Sequence, residues 1–322
     1  MRVARIDRFG SPEVLVAADA PDPVAARGQA VIDVAFAGVT FADTRLRAGA
    51  PGPFTGTPPL VPGNGVAGIV SSVGPGVDAS LLGARVVSST GGAGGYAERV
   101  AVDAAAMTAV PDGLALDAAA ALMADGRTAI LLTRAAGVRE GDRVLVEAAA
   151  GVLGSLLVQT ARAAGARVVA AAGGPAKLAL ARELGAEEAV DYRDPAWPGR
   201  VREAVGALDV AFDGVGGGVG RAAFGLLARG GRMVTYGMAS GEWAAPPADE
   251  AARRGIVLVP LARPGPDEMA ALVREALAEG AAGRLRPVIG RRVPLERASE
   301  AHEALEARAT LGKTLLVGGA FN

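Results

Sequence analysis

The chain has 322 residues, with 33 basic and 34 acidic side chains for a net charge of −1, and no cysteine. Its length exceeds one comfortable core and predicts two domains. The balanced charge offers no footprint for nucleic acid, and the lack of cysteine excludes disulfides and every thiolate metal site and fits a reducing cytoplasm. The opening segment MRVARIDRFG is charged throughout, so no signal peptide is expected. No run of about 18 apolar residues escapes charges or glycines, so no membrane span is expected.

In chain order, residues 1–120 read as β-rich. Short apolar or alternating runs at Val14–Ala17, Ala30–Ala35, Gly68–Val73, Arg85–Ser88 and Tyr96–Val102 are separated by Gly/Pro/Asp clusters, the texture of a small barrel or sandwich. From Asp117 a helical stretch leads into alternating strands (144–147, 167–171, 188–191, 208–213, 231–236) and helices (153–164, 175–184, 198–206, 218–228). That alternation predicts a doubly wound parallel sheet. The apolar run Gly255–Leu261 is expected to be its last strand. A helix at 266–279 and a strand–helix–strand tail (Arg291–Pro294, Ser299–Ala307, Thr314–Val317) follow. The expected domains are 1–122, completed by 264–322, and 123–263.

The segment Arg143–Lys177 carries most of the functional signal. Its first strand runs into Gly151-Val152-Leu153-Gly154, a helix opens there, and a second strand ends about 20 residues later, as a dinucleotide site requires. Backbone N–H groups at such a helix start suit a pyrophosphate. The second strand ends in Ala171-Ala172-Gly173-Gly174-Pro175-Ala176-Lys177. No carboxylate stands there to accept the ribose hydroxyls or repel a 2′-phosphate, and Lys177 supplies a charge. One charged hydrogen bond is worth roughly 1.5–3 kcal/mol, or about 10- to 100-fold in affinity, enough to set NADPH over NADH. Only two of the 33 basic residues are lysines, Lys177 and Lys313.

With these motifs the chain resembles the zinc-free quinone oxidoreductase (zeta-crystallin-like) branch of the medium-chain dehydrogenases/reductases. The resemblance spans essentially the whole chain. It rests on GVTFADTRLRAG (38–49), PGNGVAGIVSSVGPGV (62–77), GGYAERVAV (94–102), DGRTAILL (125–132), the 141–166 segment, LGAEEAVDY (184–192), DVAFDGVGG (209–217), GGRMVTYG (230–237) and GKTLLV (312–317). It implies a GroES-like β-rich domain, an inserted Rossmann domain and a homodimer. It further implies that Thr128 meets the nicotinamide ribose and that Gly151, Val152, Leu153 and Gly154 meet the pyrophosphate. Gly173, Gly174 and Lys177 would hold the 2′-phosphate, and Tyr192 would lie beside the adenosine phosphate. Gly216, Tyr236, Gly237 and Met238 would line the nicotinamide side, and Lys313 matches a C-terminal basic position that reaches the cofactor.

Three positions depart from the family pattern. Val152 replaces the second glycine of Gly-Gly-Val-Gly, Thr40 replaces the Asn of G-V-N-F-x-D, and Gly65 replaces the acid of P-G-x-E-x-A-G. The zinc-binding relatives need Cys, His and Glu ligands, and Gly63-Asn64-Gly65 stands where they have G-H-E, so no metal is expected. The single histidine, His302, lies in ASEAHEALEA, an amphipathic charged segment, and is expected on a surface or interface helix. Without a metal or a histidine base, the expected chemistry is hydride transfer from NADPH to a quinone or α,β-unsaturated carbonyl, a small-molecule substrate. Thr40 is the first candidate to contact the substrate oxygen, with Asp43, Arg45, Tyr96 and Trp243 as further pocket residues. Two other readings stay open: an NADPH binder with little turnover, and an enoyl reductase dedicated to one biosynthetic intermediate.

Overall fold

The structure is a computed structural model that describes residues 1–261 and 264–319. The last three residues of the expected tail, and 262–263 beside the expected domain boundary, lie outside that description. Two compact units divide the chain: Met1–Ala124 with Val273–Gly283 and Pro287–Asn322, and Asp125–Leu272 with Arg284–Arg286.

The first unit begins with an antiparallel pair, β1 (Arg2–Ile6) and β2 (Leu15–Asp19). The ten-residue β3 (Gln29–Gly38) is the hub of the larger sheet and is buried along most of its length. After it come helix α1 (Phe41–Ala48) and strands β4 (Gly65–Val73), β5 (Arg85–Ser89), β6 (Arg99–Asp103) and β7 (Met107–Ala109). Gly68 has to be glycine: a Cβ there would lie within 3.0 Å of the Asp33 carbonyl on β3. Helix α2 (Leu116–Ala135) carries the chain out of this unit.

The second unit alternates as the apolar runs predict: β8 (Arg143–Glu147), α3 (Val152–Ala163), β9 (Arg167–Ala172), α4 (Pro175–Glu183), β10 (Glu188–Asp191), α5 (Trp197–Val205), β11 (Leu208–Asp213), α6 (Gly217–Leu226) and β12 (Leu227–Thr235). Helix α7 (Ala248–Arg254) precedes a two-residue edge strand β13 (Val257–Leu258). The sheet is parallel, in the order β10-β9-β8-β11-β12-β13. Counted within the unit this is 3-2-1-4-5-6, the Rossmann order, whose direction reverses between β8 and β11. Val144, Leu145 and Val146 are fully buried because helices cover both sheet faces. Arg143 forks onto Asp209 at 2.8 and 3.0 Å, tying the starts of β8 and β11 together.

The chain closes through α8 (Pro266–Ala281), β14 (Ile289–Pro294), α9 (Ala298–Glu306) and β15 (Lys313–Val317). β15 pairs antiparallel with β3 and parallel with β14, so the tail completes the first sheet in the order β14-β15-β3-β4-β5-β7, with β6 on β3. Contrary to the expected Gly255–Leu261 strand, that run is a strand only at Val257–Leu258, opposite Arg232–Met233. Val259 still donates to the Met233 carbonyl at 2.8 Å, but Pro260 has no N–H to extend the ladder.

Candidate functional site

In a Rossmann sheet the ligand crevice lies outside the carboxyl ends of the strands at the order reversal, here the ends of β8 and β11. After β8 the backbone turns through Ala148, a non-glycine at φ 47°, and Gly151 N–H donates to the Ala148 carbonyl at 2.7 Å. Gly151 is then the N-cap of α3, without a side chain over the helix start. A Cβ on Gly154 would lie within 3.0 Å of the Ala148 carbonyl oxygen, so only glycine lets the first turn of α3 sit this close to the strand. Val152 occupies the first helical position with no left-handed φ, and the backbone does not require the glycine it replaces. Leu153 is its half-buried neighbour on that turn.

After β11 a second glycine turn packs against the loop that follows β12. Tyr236 and Gly237 N–H donate to the Asp213 carbonyl at 2.9 and 3.3 Å, and Ser240 N–H donates to the Val215 carbonyl at 2.8 Å. Gly216 has φ +72°, and a Cβ there would collide with the Glu242 carbonyl. Gly214 leaves room for the Tyr236 ring, whose hydroxyl donates to the Glu147 carbonyl at 3.1 Å. Gly216, Tyr236, Gly237 and Met238 are thereby gathered on two loops bonded to one another.

Beneath this crevice lies a feature the sequence reading passed over. Glu147 ends β8 and Asp213 ends β11, and both are fully buried within hydrogen-bonding reach of each other. Asp213 Oδ1 accepts from the N–H groups of Gly216 (2.7 Å) and Val215 (3.2 Å), and Glu147 Oε2 also accepts from Val215 at 3.2 Å. Burial first, and then the Asp213 carboxylate, push the Glu147 carboxyl well above the usual range. With both groups ionised, Glu147 Oε1 and Asp213 Oδ2 would be buried without a donor. A proton held by Glu147 gives the pair a bond and halves its charge. The signal was present in the sequence: RVLVE and LDVAFD each end an apolar strand on a carboxylate.

β9 and β10 end side by side. Gly173 and Gly174 follow β9, Lys177 sits half-buried in the first turn of α4, and half-buried Tyr192 follows β10 with its ring over Gly173. Asp191 closes this corner by accepting from Gly174 N–H at 3.1 Å and from Arg193. Thr128 lies half-buried on α2.

In the first unit, Thr40 and Asp43 form a reciprocal cap on α1. Asp43 Oδ2 accepts from the Thr40 hydroxyl at 2.6 Å and from Thr40 N–H at 2.8 Å. Asp43 is fully buried, and that burial raises its carboxyl pKa against the opposing pull of Thr40 and of the Lys313 charge. Lys313 is itself 2% exposed. Its side chain lies over Gly38, where an added Cβ would come within 3.0 Å of Lys313 Cε.

His302 overturns the surface expectation. It is fully buried, 3.0 Å from the Tyr96 hydroxyl through Nε2, with its ring edge-on to the tyrosine. ASEAHEALEA is amphipathic, but the histidine stands on the face that packs with Ala298, Ala301 and Ala304 rather than on the charged face. Burial first, and then the nearby Asp43 charge, push the Tyr96 phenol well above its ordinary range. Tyr96 is thus a core residue linking α9 to α1. Arg45 donates to the Pro51 carbonyl at 3.1 Å, and Trp243 is 52% exposed. At the third departure, the space that a side chain on Gly65 would need is filled by Met123 Cε.

Among the described residues no group of three His, Asp or Glu side chains is arranged to hold a metal, and no helix is long and apolar enough to cross a membrane. The glycine turns at 151–154, 173–174 and 214–217 place the starts of α3, α4 and α6 at the carboxyl ends of their strands with glycine N-caps and no capping side chain over the helix N–H groups, which fits a dinucleotide.

Comparison with known proteins agrees with this geometry. Residues 26–112 match the family described as the alcohol dehydrogenase GroES-like domain, and residues 152–278 that described as zinc-binding dehydrogenase. The chain is 33% identical to a probable quinone oxidoreductase of Schizosaccharomyces pombe, over 98% of this chain and 96% of that protein. It is also 33% identical to a 2-haloacrylate reductase of a Burkholderia species, over 97% and 95% of the two chains. The quinone oxidoreductase of Thermus thermophilus, solved also as its complex with NADPH, superposes with a TM-score of 0.83 at 38% identity, covering 98% of this chain and 100% of the other. The chain therefore belongs to the zinc-independent quinone oxidoreductase family of the medium-chain dehydrogenases/reductases.

Proposed function

We propose that the protein is an NADPH-dependent, zinc-independent oxidoreductase acting on a quinone or an α,β-unsaturated carbonyl. The observation that carries the cofactor reading is the acid-free turn Gly173-Gly174 with Lys177 on the following helix start. A relative named for 2-haloacrylate reduction and another named for quinones both fit an acceptor whose product is an enolate or hydroquinone. When bound, NADPH supplies the hydride.

The chain's own residues bind and orient. Gly151, Val152, Leu153 and Gly154 present the start of α3 to the pyrophosphate, and Gly173, Gly174, Lys177 and Tyr192 take the adenosine end. Thr128, Gly216, Tyr236, Gly237 and Met238 take the nicotinamide end, above a Glu147–Asp213 pair whose shared proton limits negative charge beneath the crevice. Thr40 is our substrate-oxygen contact. Its one hydroxyl hydrogen points at Asp43, and protonation of that buried carboxyl releases it toward the substrate. Lys313 acts through Asp43 in this reading, since its side chain is buried beside that carboxylate.

Stopped-flow oxidation of NADPH with simple quinones and enones tests the activity. Turnover is expected with at least one of these acceptors. Tight NADPH binding with silence toward all of them would favour a dedicated enoyl reductase or a non-catalytic binder. Lys177→Ala is expected to weaken NADPH by about 10- to 100-fold and to spare NADH; equal losses would remove Lys177 from the 2′-phosphate site.

A cytoplasmic homodimer belongs to the same reading. Val257 and Leu258 on edge strand β13 are 52% and 41% exposed, and Leu261 is 49% exposed, an apolar edge of the kind a second sheet covers. Light scattering is expected to give twice the chain mass, and Val257→Lys to shift it toward the monomer. A wild-type monomer at micromolar concentration would end that proposal.

A further inference from the structure

β9 and β10 run in parallel with Ala172 opposite Asp191, so whatever follows the two strands is brought together. Gly173-Gly174 emerges from one and Tyr192-Arg193 from the other. Asp191 organises the junction. It accepts from Gly174 N–H at 3.1 Å, from Arg193 N–H at 3.0 Å, from Arg193 Nε at 2.9 Å and from Arg193 Nη2 at 2.6 Å. The Arg193 bonds hold the Asp191 carboxyl down to about 2, so it stays ionised at any working pH.

The two glycines make room for the arginine. A Cβ on Gly174 would lie 3.1 Å from Arg193 Nη2 and 3.7 Å from Nη1, and one on Gly173 would lie 3.4 Å from Arg193 Cδ. The guanidinium therefore rests against the turn that carries the adenosine end of the proposed cofactor site. Asp191 engages it side-on, through Nε and Nη2, and Nη1 makes no hydrogen bond among the described residues. A guanidinium has five donors in a rigid fork, so one carboxylate leaves a second edge available to another anion.

We propose that Arg193 is a second specificity-determining cation for the adenosine 2′-phosphate, gripped on one edge by Asp191 and offering the Nη1 edge over Gly173-Gly174 to the phosphate. The inference rests on the NADPH reading above and adds a residue to it. Lys177 and Arg193 would play different parts. Lys177 brings a point charge on a flexible stem, whereas Arg193 is fixed by Asp191, so its contribution lies in directed, charge-assisted hydrogen bonds. An ammonium in its place has no second edge with which to serve two anions at fixed angles.

Titration calorimetry on the whole protein separates these roles, using NADPH, NADH and 2′,5′-ADP with wild type, Arg193→Gln and Arg193→Lys. Both variants are expected to lose about ten-fold or more for NADPH and 2′,5′-ADP, with NADH held within about two-fold. Arg193 is 61% exposed, so both variants are expected to fold, and unchanged melting temperatures check this. Unaltered NADPH affinity in Arg193→Gln, or parallel losses for NADPH and NADH, would overturn the proposal. Full recovery in Arg193→Lys would overturn the two-edge geometry. A wild type that binds NADPH and NADH equally would instead sink the cofactor reading itself, a result visible before any variant is made.

Discussion

Replacing Gly154 with alanine is expected to reduce dinucleotide affinity by about 100-fold and to cost the fold about 1–3 kcal/mol. The new methyl would lie within 3.0 Å of the Ala148 carbonyl oxygen and carbon and 3.0 Å from Ala149 Cα, all backbone atoms with no rotamer to yield. Helix α3 cannot move aside freely, because Leu156, Leu157 and Val158 on it are 0–1% exposed in the core. The first turn must tilt off the strand, and the N–H groups proposed to hold the pyrophosphate tilt with it. Val152→Ala is the matched control. Val152 is half-buried at an ordinary helical position, so affinity is expected to change less than about three-fold. Calorimetric binding of NADPH with thermal melts of both variants decides the matter. Wild-type affinity in Gly154→Ala would show that the close approach of α3 to β8 is dispensable for the cofactor.

The second large effect is on acid stability and runs through His302. Burial holds this imidazole neutral, its pKa lowered to about 3 from the ordinary 6.5, with the Arg47 charge adding to the effect. Between those two values the unfolded chain takes up a proton that the folded chain refuses. Stability from this group is therefore complete above pH 6.5 and is lost as the pH falls toward 3, at about 1.4 kcal/mol per pH unit. Over pH 6 to 4.5 wild type is expected to lose about 2 kcal/mol more than His302→Gln, which keeps a polar partner for Tyr96 but has no proton to take up. Urea midpoints of the two proteins at each pH give the difference directly. Parallel pH profiles would mean that His302 titrates alike folded and unfolded. Arg47, buried and paired with Glu306 on α9, keeps a positive charge near the ring and adds to the cost of protonating it.

The elements with strong apolar periodicity were legible in the sequence. β8, β9 and β11 and the helices between them fall within a residue or two of their expected bounds, because each buries an apolar face regardless of what lies far away in the chain. The short or charged elements were not read. Helix α1 (FADTRLRA) has little apolar stripe and owes its start to the Thr40–Asp43 cap, in which each side chain accepts from the other residue's backbone N–H. Helix α7 (ADEAARR) is similarly polar, with ion pairs Arg253–Asp249 and Arg254–Glu250 along its face. Strand β1 exists because β2 pairs with it, and β13 is cut short by Pro260.

The candidate site divides in the same way. Glycine turns and Lys177 announce themselves locally, since a missing Cβ and a missing acid are properties of a few neighbouring residues. Arg193 stands next to Tyr192 in the sequence, but its value depends on the register of two parallel strands, which brings it onto Gly173-Gly174. Glu147 and Asp213 are 66 residues apart by number, and only the adjacency of β8 and β11 brings the two carboxyls together.

By itself the sequence determined the family, the doubly wound sheet and the position of the glycine turns. Tertiary structure alone decided which ionisable groups meet: Glu147 with Asp213, Asp43 with Lys313, His302 with Tyr96, and Arg193 held by Asp191 over a glycine turn. The reason is physical. Backbone conformation and apolar burial follow from residues within one or two turns of each other, whereas the state of an ionisable group is set by its solvation and by the charges beside it, which only the completed packing supplies.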